Sequence, residues 1–570
     1  MKKLLIALML IRLLTVPALA ESKTYTISEK TMDFYYFEPE NAMQQSVYFI
    51  NGSDVPYLAL SDWPAMADFL YTDEENPGVV FSMTENAGVL TRDDGYFVTF
   101  DCDTDVIHFL DYDAFLRVGD DNVLIDMVGD IGKASDGSVR YIQCTNNSYE
   151  RYGKEVSIST GDYNIDIISE GGECYVPLQT ISDVLMGFSY VNIYYNGEIA
   201  VIGSPDVLGS SDSLTPLGEL YYSVEPHDRS ETMARFAYDE LCLAMDTFYG
   251  LKESHGIESF DELADDTGLK PALSGTDPVQ ADAALYQLLE LHLDDMHSGF
   301  HLPSPLSGID AGNSFPDELG EGLCSLRYNQ QFITYAKAGM AVYHDHIPRY
   351  EEFGNTAYIT FNHFDEIPED EDYYENPPTE DVHNAIGVML YAYQQITREN
   401  SPIENVVLDL SLNRGGKATS AVFTLAAFLG NGSISIRDAL SGSLVTGNYQ
   451  TDMNLDGKID EGDLGLTDKN LFCIESPVSF SCANLVTNEF KHSNAVTLIG
   501  RTSGGGTCFV QSMSTADGSC FQMSGPIQMS FLKNGSFYNN DQGAEPDFPL
   551  IKPASFYDRE ALTEFINTLR

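Results

Sequence analysis

The hexapeptide Ser479-Phe480-Ser481-Cys482-Ala483-Asn484 is the most informative stretch of the chain. The hydrophobic run that precedes it, 471–478, is typical of a buried strand, and the run that follows, 484–492, is typical of a helix. A hydroxyl at a strand-to-helix turn is exposed and lies beside backbone N–H groups that have no helical partner. The pattern therefore predicts that Ser481 is a nucleophile.

Two glycine-rich turns flank this serine in the sequence. Upstream, residues 406–410 (Val-Val-Leu-Asp-Leu) predict a buried strand that runs into the polar turn 411–416 (Ser-Leu-Asn-Arg-Gly-Gly). Downstream, residues 499–506 read Ile-Gly-Arg-Thr-Ser-Gly-Gly-Gly. In this order the three segments resemble the core of the S41 serine peptidases, the family of tail-specific, tricorn-core and retinoid-binding-protein-like domains. The upstream turn is similar to the family's D-L-R-x-N-x-G-G pattern, with Ser411 in place of the arginine.

The resemblance implies a base for the serine, because a serine hydroxyl is a weak nucleophile on its own. In the family the base is a lysine of the downstream glycine-rich turn or a histidine. That turn contains no lysine here, and neither Lys417 nor Lys491 matches the lysine pattern. The stretch 293–298 resembles the family's D-x-H-[ST] signature, so His297 is expected to be the general base. The alternative is a histidine favoured by the dipole at the end of a helix.

The family also implies an oxyanion hole and an acid. The donors would be the N–H of Gly415 or Gly416 and the N–H of Cys482, although glycines are equally expected in a tight turn that needs positive φ. The Cys482 thiol is a rival nucleophile, but we expect it to be a small side chain packed behind the turn. Asn540 aligns with the family glutamate, so Asp541 is the substitute candidate for the acid.

Residues 452–463, Asp-Met-Asn-Leu-Asp-Gly-Lys-Ile-Asp-Glu-Gly-Asp, have the pattern of an EF-hand calcium loop. Aspartate takes the place of glutamate at the last position, as in dockerin-like loops. The predicted ligands are Asp452, Asn454, Asp456, Lys458 through its carbonyl, Asp460 and Asp463. The alternative is an acidic turn in an acidic protein. The complete spacing favours a structural Ca²⁺ site that stays filled outside the cell.

A chain of 570 residues is too long for one ordinary hydrophobic core, so several domains are expected. The sequence patterns predict a multidomain α+β protein. Residues 1–20 resemble a secretory signal peptide. Residues 21–206 are predicted to be an α/β module in which V-P-x-x-x-[LI]-S-D occurs twice, at 55–62 and 176–183. This module resembles the copper amine oxidase N-terminal-like modules of exported bacterial proteins, with no copper implied. It is expected to be either a binding or surface-targeting module or a spacer.

The second half is predicted to contain a helical subdomain and a peptidase core. Apolar residues recur at helical spacing within 215–315. Strands and helices alternate over 320–570, and the resemblance implies an α/β core of the ClpP/crotonase type there. The interval between His297 and Tyr350 is too short for the PDZ domain that tail-specific proteases usually carry.

The net charge and the cysteine content limit the kinds of partner and metal that the protein is expected to bind. The chain has 87 Asp and Glu against 30 Lys and Arg, a net charge of −57, which argues against nucleic acids and anionic membrane surfaces. No apolar run after the leader is long enough to span a bilayer. The 9 cysteines form no close CxxC pair, so zinc is not expected, and the sequence does not assign disulfides.

These patterns together predict a secreted serine peptidase that acts on peptides or proteins. The alternative from another class is a non-catalytic protein that binds a ligand on the same fold. A further alternative is a protein that binds the cell wall or cell envelope through residues 21–206.

Overall fold

The computed structural model describes residues 24–70, 78–93, 95–116, 141–151, 155–187, 191–210, 213–311, 324–368 and 370–569. The predicted signal peptide lies outside these residues. Within them the chain forms a mixed α/β structure with several sheets, the larger of which have five, six, six and seven strands.

The N-terminal part contains two sheets. The seven-stranded sheet has, in spatial order, strands Ile168–Glu170, Glu173–Pro177, Pro56–Ala59, Glu38–Ile50, Ile27–Tyr36, Ala200–Gly203 and Asn192–Tyr195. The five-stranded antiparallel sheet has strands Val80–Met83, Ala87–Thr91, Phe97–Asp101, Val106–Phe109 and Val156–Ser159. Helices Trp63–Leu70, Tyr112–Leu116 and Leu178–Leu185 accompany them.

The two copies of the repeated motif lie side by side in the seven-stranded sheet. Strand Glu173–Pro177 pairs antiparallel with Pro56–Ala59, and Val176 lies opposite Leu58. After each strand the chain turns into a helix, directly at Leu178 and after a short 3₁₀ turn at Trp63. The repeat is therefore a repeated strand-helix unit. Its resemblance to the copper amine oxidase N-terminal-like modules remains a prediction.

Helices dominate the segment between this region and the second half of the chain. They are Pro216–Tyr221, Glu231–Phe248, Phe260–Asp266, Lys270–Leu273 and Pro278–Gln287, the last continuing into a π-helical turn, Leu288–His292. Ser230 caps the longest of these helices, Glu231–Phe248, by accepting the N–H of Met233 at 2.9 Å. This helical stretch ends just before His297, which lies between it and the strand Gly299–Leu302.

The sheet that positions the site is mostly parallel. Its strands, in spatial order, are Tyr350–Phe353, Thr356–Thr360, Asn405–Asp409, Asn470–Glu475, Val496–Gly500 and Phe548–Pro549. The associated helices are Cys324–Tyr343, Ala385–Thr397, Ala418–Leu429, Cys482–Ser493 and Arg559–Asn567. The strands at 405–409 and 470–475 are parallel neighbours, with Asp409 opposite Ile474. Since the carboxyl ends of neighbouring parallel strands share one edge, the Gly415 turn and the Ser481 turn lie together.

A second six-stranded sheet combines segments from distant parts of the chain. It contains Gly299–Leu302, Cys520–Ser530, Gly432–Asp438, Leu444–Thr451 and Ile142–Arg151, and Cys508–Ser514 also pairs with Cys520–Ser530. Strand 142–151 belongs to the predicted N-terminal module, and strand 299–302 to the predicted helical subdomain. Both hydrogen-bond to strands of the predicted core, so this sheet joins segments of all three predicted regions. The boundaries at 206 and 315 remain predictions.

Candidate active site

Ser481 lies on a strained turn between a strand and a helix. The strand Asn470–Glu475 ends a few residues earlier, and the helix begins at Cys482. Ser481 has φ 56°, a conformation that costs a residue with a Cβ about 1–3 kcal/mol. The turn is held because the N–H of Ser481 donates to the carbonyl of Gly505 at 2.9 Å. Such a turn presents the hydroxyl at the end of the sheet, as nucleophilic serines require.

His297 lines the same cavity as Ser481. This cavity has a volume of about 300 Å³ and is lined by Met296, His297, Tyr328, Asn329, Arg414, Phe480 and Ser481. The imidazole is buried and packs on the ring of Phe480, with ring centroids 4.6 Å apart. The structure therefore brings together the predicted nucleophile and the predicted base.

Asp295 explains why the D-x-H-[ST] signature has its spacing. One oxygen of its carboxylate accepts the backbone N–H of His297 at 3.0 Å, and the other accepts the hydroxyl of Ser298 at 2.7 Å. The carbonyl of His297 accepts the side-chain amide of Gln522 at 2.8 Å. The histidine is thus fixed at both of its backbone polar groups, which limits where its ring can lie.

The His297 imidazole is in a setting that favours its neutral form. Burial lowers the pKa of His297, and the carboxylates of Asp295 and Asp541 oppose that shift. Its Nδ1 atom has no hydrogen-bond partner among the described residues. A neutral imidazole at neutral pH is the form that accepts a proton from a hydroxyl.

Asp541, the predicted acid, lies near His297 but is paired with a different histidine. Its carboxylate accepts the N–H of Gly506 at 3.1 Å and lies 3.8 Å from Nε2 of His255. Although burial opposes it, the interactions with His255 and the backbone N–H groups lower the pKa of Asp541. The same interaction with Asp541 raises the pKa of His255.

His255 was not predicted from the sequence. It stands alone in a turn, 252–257, with no motif around it, and reaches the site only through the fold. Tyr249 supports it, with the hydroxyl 3.3 Å from Nδ1 of the imidazole. Asn540, at the position of the family glutamate, is buried, and its side-chain oxygen accepts the hydroxyl of Thr507.

The paired glycines lie directly against the nucleophile. A Cβ placed on Gly415 would be 2.7 Å from the Cβ of Ser481 and 3.2 Å from the backbone nitrogen of Cys482. The N–H of Gly415 donates to the side chain of Asn413 at 2.9 Å. Within the described part of the chain, no backbone carbonyl accepts a hydrogen bond from the N–H of Gly416 or of Cys482. Neither N–H is therefore committed to a backbone carbonyl.

The Cys482 thiol is buried behind the turn and donates to the carbonyl of Gly416 at 3.1 Å. Burial raises the pKa of Cys482 to about 12, although a backbone hydrogen bond at Gly416 opposes that shift. A thiol of that acidity is protonated at neutral pH, and only the thiolate is a strong nucleophile. The geometry therefore favours Ser481 over its neighbour.

The departure from the family pattern at Ser411 is accompanied by a buried arginine from the C-terminal helix. The guanidinium of Arg559 lies 2.8 Å from Asp409 and 2.8 Å from Glu351. Ser411 shares a hydrogen bond of 3.3 Å with the hydroxyl of Tyr557. Asp409, the first residue of the motif, thus has a cationic partner that no local pattern indicated.

The predicted calcium loop lies between Leu444–Thr451 and Asn470–Glu475. In this structure Asp452 accepts the N–H of Gly457 at 2.8 Å, and Asp463 accepts that of Met453 at 2.9 Å. The described residues include no group of three or more His, Cys, Asp or Glu side chains placed to hold a metal ion. The donor types match calcium, but the carboxylates bond the loop's own N–H groups instead of converging, so calcium binding remains a prediction.

Comparison with known proteins assigns the domain that carries Ser481. Residues 355–550 match the model of peptidase family S41. They therefore form a domain of this family of serine peptidases, as the sequence motifs predicted. The match includes Gly415, Gly416, Ser481 and Asp541, whereas His297 lies before it. No curated protein matches the chain.

Several solved structures are similar to the chain at low identity. A putative peptidase from Parabacteroides merdae is 13% identical, with 59% of this chain and 96% of that chain covered and a TM-score of 0.41. The tricorn protease is 11% identical over 86% of this chain and 46% of its own, with a TM-score of 0.31. The photosystem II D1 C-terminal processing protease is 15% identical, with 35% of this chain and 42% of that chain covered and a TM-score of 0.25. The chain thus spans less than half of the D1 protease. The assignment of residues 355–550 to peptidase family S41 rests on the match to the family model.

No helix of the described residues is both long and apolar enough to cross a membrane.

Proposed function

We propose that this protein is a serine peptidase that cleaves peptide bonds through an acyl-enzyme on Ser481, with His297 as the general base. The observation that carries the proposal is that a serine on a strained strand-to-helix turn shares one cavity with a buried histidine. The family match supports the reaction class.

In the proposed reaction the Ser481 hydroxyl oxygen adds to the substrate carbonyl carbon and its proton passes to His297. The N–H groups of Gly416 and Cys482 bind the oxyanion that forms. His297 then gives its proton to the leaving amine as the C–N bond breaks, which leaves an ester on Ser481. Water attacks this ester while His297 accepts a proton from the water, and His297 then returns that proton to the Ser481 oxygen as the ester C–O bond breaks. The product carboxylic acid leaves, and the hydroxyl and the neutral imidazole are regenerated.

Asp541 is proposed to act on His297 as an orienting and charge-stabilising anion. In the structure its oxygens are engaged by backbone N–H groups and by His255, while the Nδ1 atom of His297 has no partner among the described residues. This arrangement is also the specific observation that favours the second candidate, a non-catalytic protein that binds a ligand on the same fold.

Labelling with a fluorophosphonate probe distinguishes the two candidates. We expect the folded protein to be labelled and mass analysis of the labelled peptide to place the adduct on Ser481 rather than Cys482. Ser481→Ala should abolish labelling, and His297→Gln should slow it by at least about 10⁴-fold. A folded wild type that is not labelled, or a His297→Gln protein labelled at the wild-type rate, would contradict the proposed mechanism.

We also propose that the protein is exported and that the loop 452–463 binds Ca²⁺. The leader pattern at 1–20 and the high negative charge support export, and the loop spacing supports calcium. N-terminal sequencing of protein recovered from the medium should begin near residue 21. Contact between the N-terminal module and the cell envelope remains a prediction, which binding of the purified protein to envelope preparations tests.

A further inference from the structure

Two cysteines in the N-terminal part of the chain have their sulfur atoms in contact. The Sγ atoms of Cys102 and Cys174 lie 3.5 Å apart, although the residues are separated by 72 positions in the sequence. Cys102 directly follows strand Phe97–Asp101 of the five-stranded sheet, and Cys174 lies in strand Glu173–Pro177 of the seven-stranded sheet. The contact therefore connects the two sheets of this region, far along the chain from the residues of the candidate active site.

The close approach of the two sheets at this point depends on a glycine. Gly88 lies in strand Ala87–Thr91 of the five-stranded sheet. A Cβ placed on it would be 2.7 Å from the Cβ and 3.0 Å from the sulfur of Cys174. A glycine inside a strand often marks such a close approach. The missing side chain thus leaves the room that Cys174 occupies against the five-stranded sheet.

Hydrogen bonds hold the backbone on both sides of the contact. The N–H of Cys102 donates to the carbonyl of Asn86 at 2.9 Å. In the other sheet, Cys174 lies opposite Ser169 in an antiparallel ladder, and its N–H donates to the carboxylate of Glu173 at 2.8 Å. The two sulfur atoms are therefore kept within reach of each other by the fold. A bond between them requires only that they close to about 2.0 Å, a movement that rotation of the side chains supplies.

Metal binding is the other chemistry open to two neighbouring thiols. A Zn²⁺ ion, the metal most often held by cysteines, takes about four ligands. Across the described ranges, no three or more His, Cys, Asp or Glu side chains are placed together to hold a metal ion. Oxidation to a disulfide needs no further ligand, so the geometry favours it over a metal site.

We propose that Cys102 and Cys174 form a disulfide that links the two N-terminal sheets when the protein meets an oxidising compartment. This inference does not depend on the proposed peptidase activity. It takes from the proposed export only the setting, because disulfides form and persist outside the cytosol. A bond that closes a loop of this length removes conformational freedom from the unfolded chain, so we expect it to stabilise the N-terminal region.

The oxidation is expected to begin at Cys102. Cys102 is partly exposed, whereas Cys174 is buried, and its hydrogen bond with Cys102 together with burial raises the pKa of the Cys174 thiol. The Cys102 thiolate attacks an acceptor disulfide, such as that of a thiol oxidoreductase or of oxidised glutathione, and releases one thiolate. Cys174 then gives up its proton, and its sulfur displaces the second thiolate from Cys102. The two cysteines lose two electrons in total, and the acceptor disulfide is reduced to two thiols that take up the two protons.

Redox treatment of the purified full-length protein tests the proposal. The protein is incubated in a glutathione redox buffer, and the remaining free thiols are blocked under denaturing conditions before digestion with trypsin. Trypsin places Cys102 in peptide 93–117 and Cys174 in peptide 155–229, and neither peptide contains another cysteine. We expect mass analysis to find these two peptides joined, with a mass two hydrogen atoms below their sum. Reduction should release both.

Thermal unfolding tests whether the bond stabilises the fold. Reduction of the oxidised wild type should lower its Tm by at least about 4 °C, the shift expected for a loop of this length. Cys102→Ser and Cys174→Ser should each abolish the joined peptide and the response of Tm to reductant. Cys144→Ser, which removes another partly exposed cysteine, is the matched control and should keep both.

Several results would overturn the inference. They are an oxidised, folded protein in which both thiols are still free, a glutathione adduct in place of the bond, a bond from either cysteine to a different one, or a joined peptide whose reduction leaves Tm unchanged. A protein that is exported but lacks the bond would refute this inference and leave the export proposal standing. A protein that has the bond but whose Ser481 is not labelled by fluorophosphonate would refute the peptidase proposal alone.

Discussion

Replacing Gly415 with alanine should inactivate the site by moving the nucleophile. Gly415 has φ 95°, a conformation that costs a residue with a Cβ about 1–3 kcal/mol. The added methyl group would lie 2.7 Å from the Cβ of Ser481, 2.9 Å from the carbonyl oxygen of Phe480 and 3.2 Å from the nitrogen of Cys482. All three atoms belong to the backbone or are attached to it directly, so no side-chain rotation relieves the contacts, and overpacking adds about 1–3 kcal/mol.

The catalytic loss is expected to exceed the loss of stability. The contacts fall on the Cβ that carries the nucleophilic oxygen and on a proposed oxyanion donor. A displacement of about 1 Å costs about 100-fold in rate, and loss of one oxyanion donor costs about 10²–10³-fold. We therefore expect Gly415→Ala to lower the rate of fluorophosphonate labelling by at least about 100-fold, while the free energy of unfolding falls by about 2–6 kcal/mol.

Gly442→Ala is the matched control. Gly442 also has a positive φ, 76°, but a Cβ there would meet nothing within 4 Å. It should therefore lose stability from backbone strain alone and be labelled at the wild-type rate. Stability is measured by denaturant unfolding and labelling by the second-order rate constant. A folded Gly415→Ala protein that is labelled as fast as the wild type would refute the placement of this glycine against the nucleophile.

The remaining predictions concern pH, calcium and a buried ion pair. Because Asp541 raises the pKa of His255, this histidine stabilises the fold below its ordinary pKa of about 6.5 and loses that effect as pH rises through the higher folded value. The difference in Tm between wild type and His255→Gln should thus be largest between about pH 4 and 6 and shrink above it. Chelation of calcium should lower the Tm of the wild type, and Asp463→Asn should remove this response. Arg559→Met should reduce the free energy of unfolding by about 3–5 kcal/mol, because it leaves the buried Asp409 carboxylate without its cationic partner.

Each of these predictions has a control elsewhere on the surface. His346→Gln, at an exposed histidine, should show no comparable pH window, and Asp468→Asn, outside the calcium loop, should keep the response to chelation. Arg398→Gln breaks a partly exposed pair with Glu352 and should cost no more than about 1 kcal/mol. The argument for His255 would be contradicted by a Tm difference that does not depend on pH, and that for calcium by a Tm that chelation does not change. The argument for Arg559 would be contradicted if Arg559→Met left the free energy of unfolding nearly unchanged.

The parts of the site that local patterns encode were predictable from the sequence. The strand before Ser481 and the helix after it follow from apolar runs of the right length, observed as Asn470–Glu475 and Cys482–Ser493. The stretch 350–361 is a hairpin rather than one strand, because Gly354, with φ 59°, turns the chain between Tyr350–Phe353 and Thr356–Thr360. Local patterns fix element types, whereas a tight turn at one glycine decides how many elements there are.

The residues that reach the site through tertiary structure were not predictable. His255 meets Asp541, and Arg559 meets Asp409, across separations of 286 and 150 residues along the chain. A single sequence contains no periodicity or spacing that reports such pairs. The same reason explains why the sequence did not indicate that strand 142–151 pairs with strand 444–451.

The pairing of Ile142–Arg151 with Leu444–Thr451 has a consequence for how the protein can be divided. A single cut in the chain anywhere between these strands would leave the early strand held in the later sheet by its ladder of hydrogen bonds, as an added strand is held in β-augmentation. The two fragments would be expected to remain together until denatured. A shortened version that starts after residue 206 would instead expose the open edge of 444–451, which is a template for aggregation. Any attempt to express the peptidase region separately should therefore supply residues 142–151, in the same chain or as a peptide.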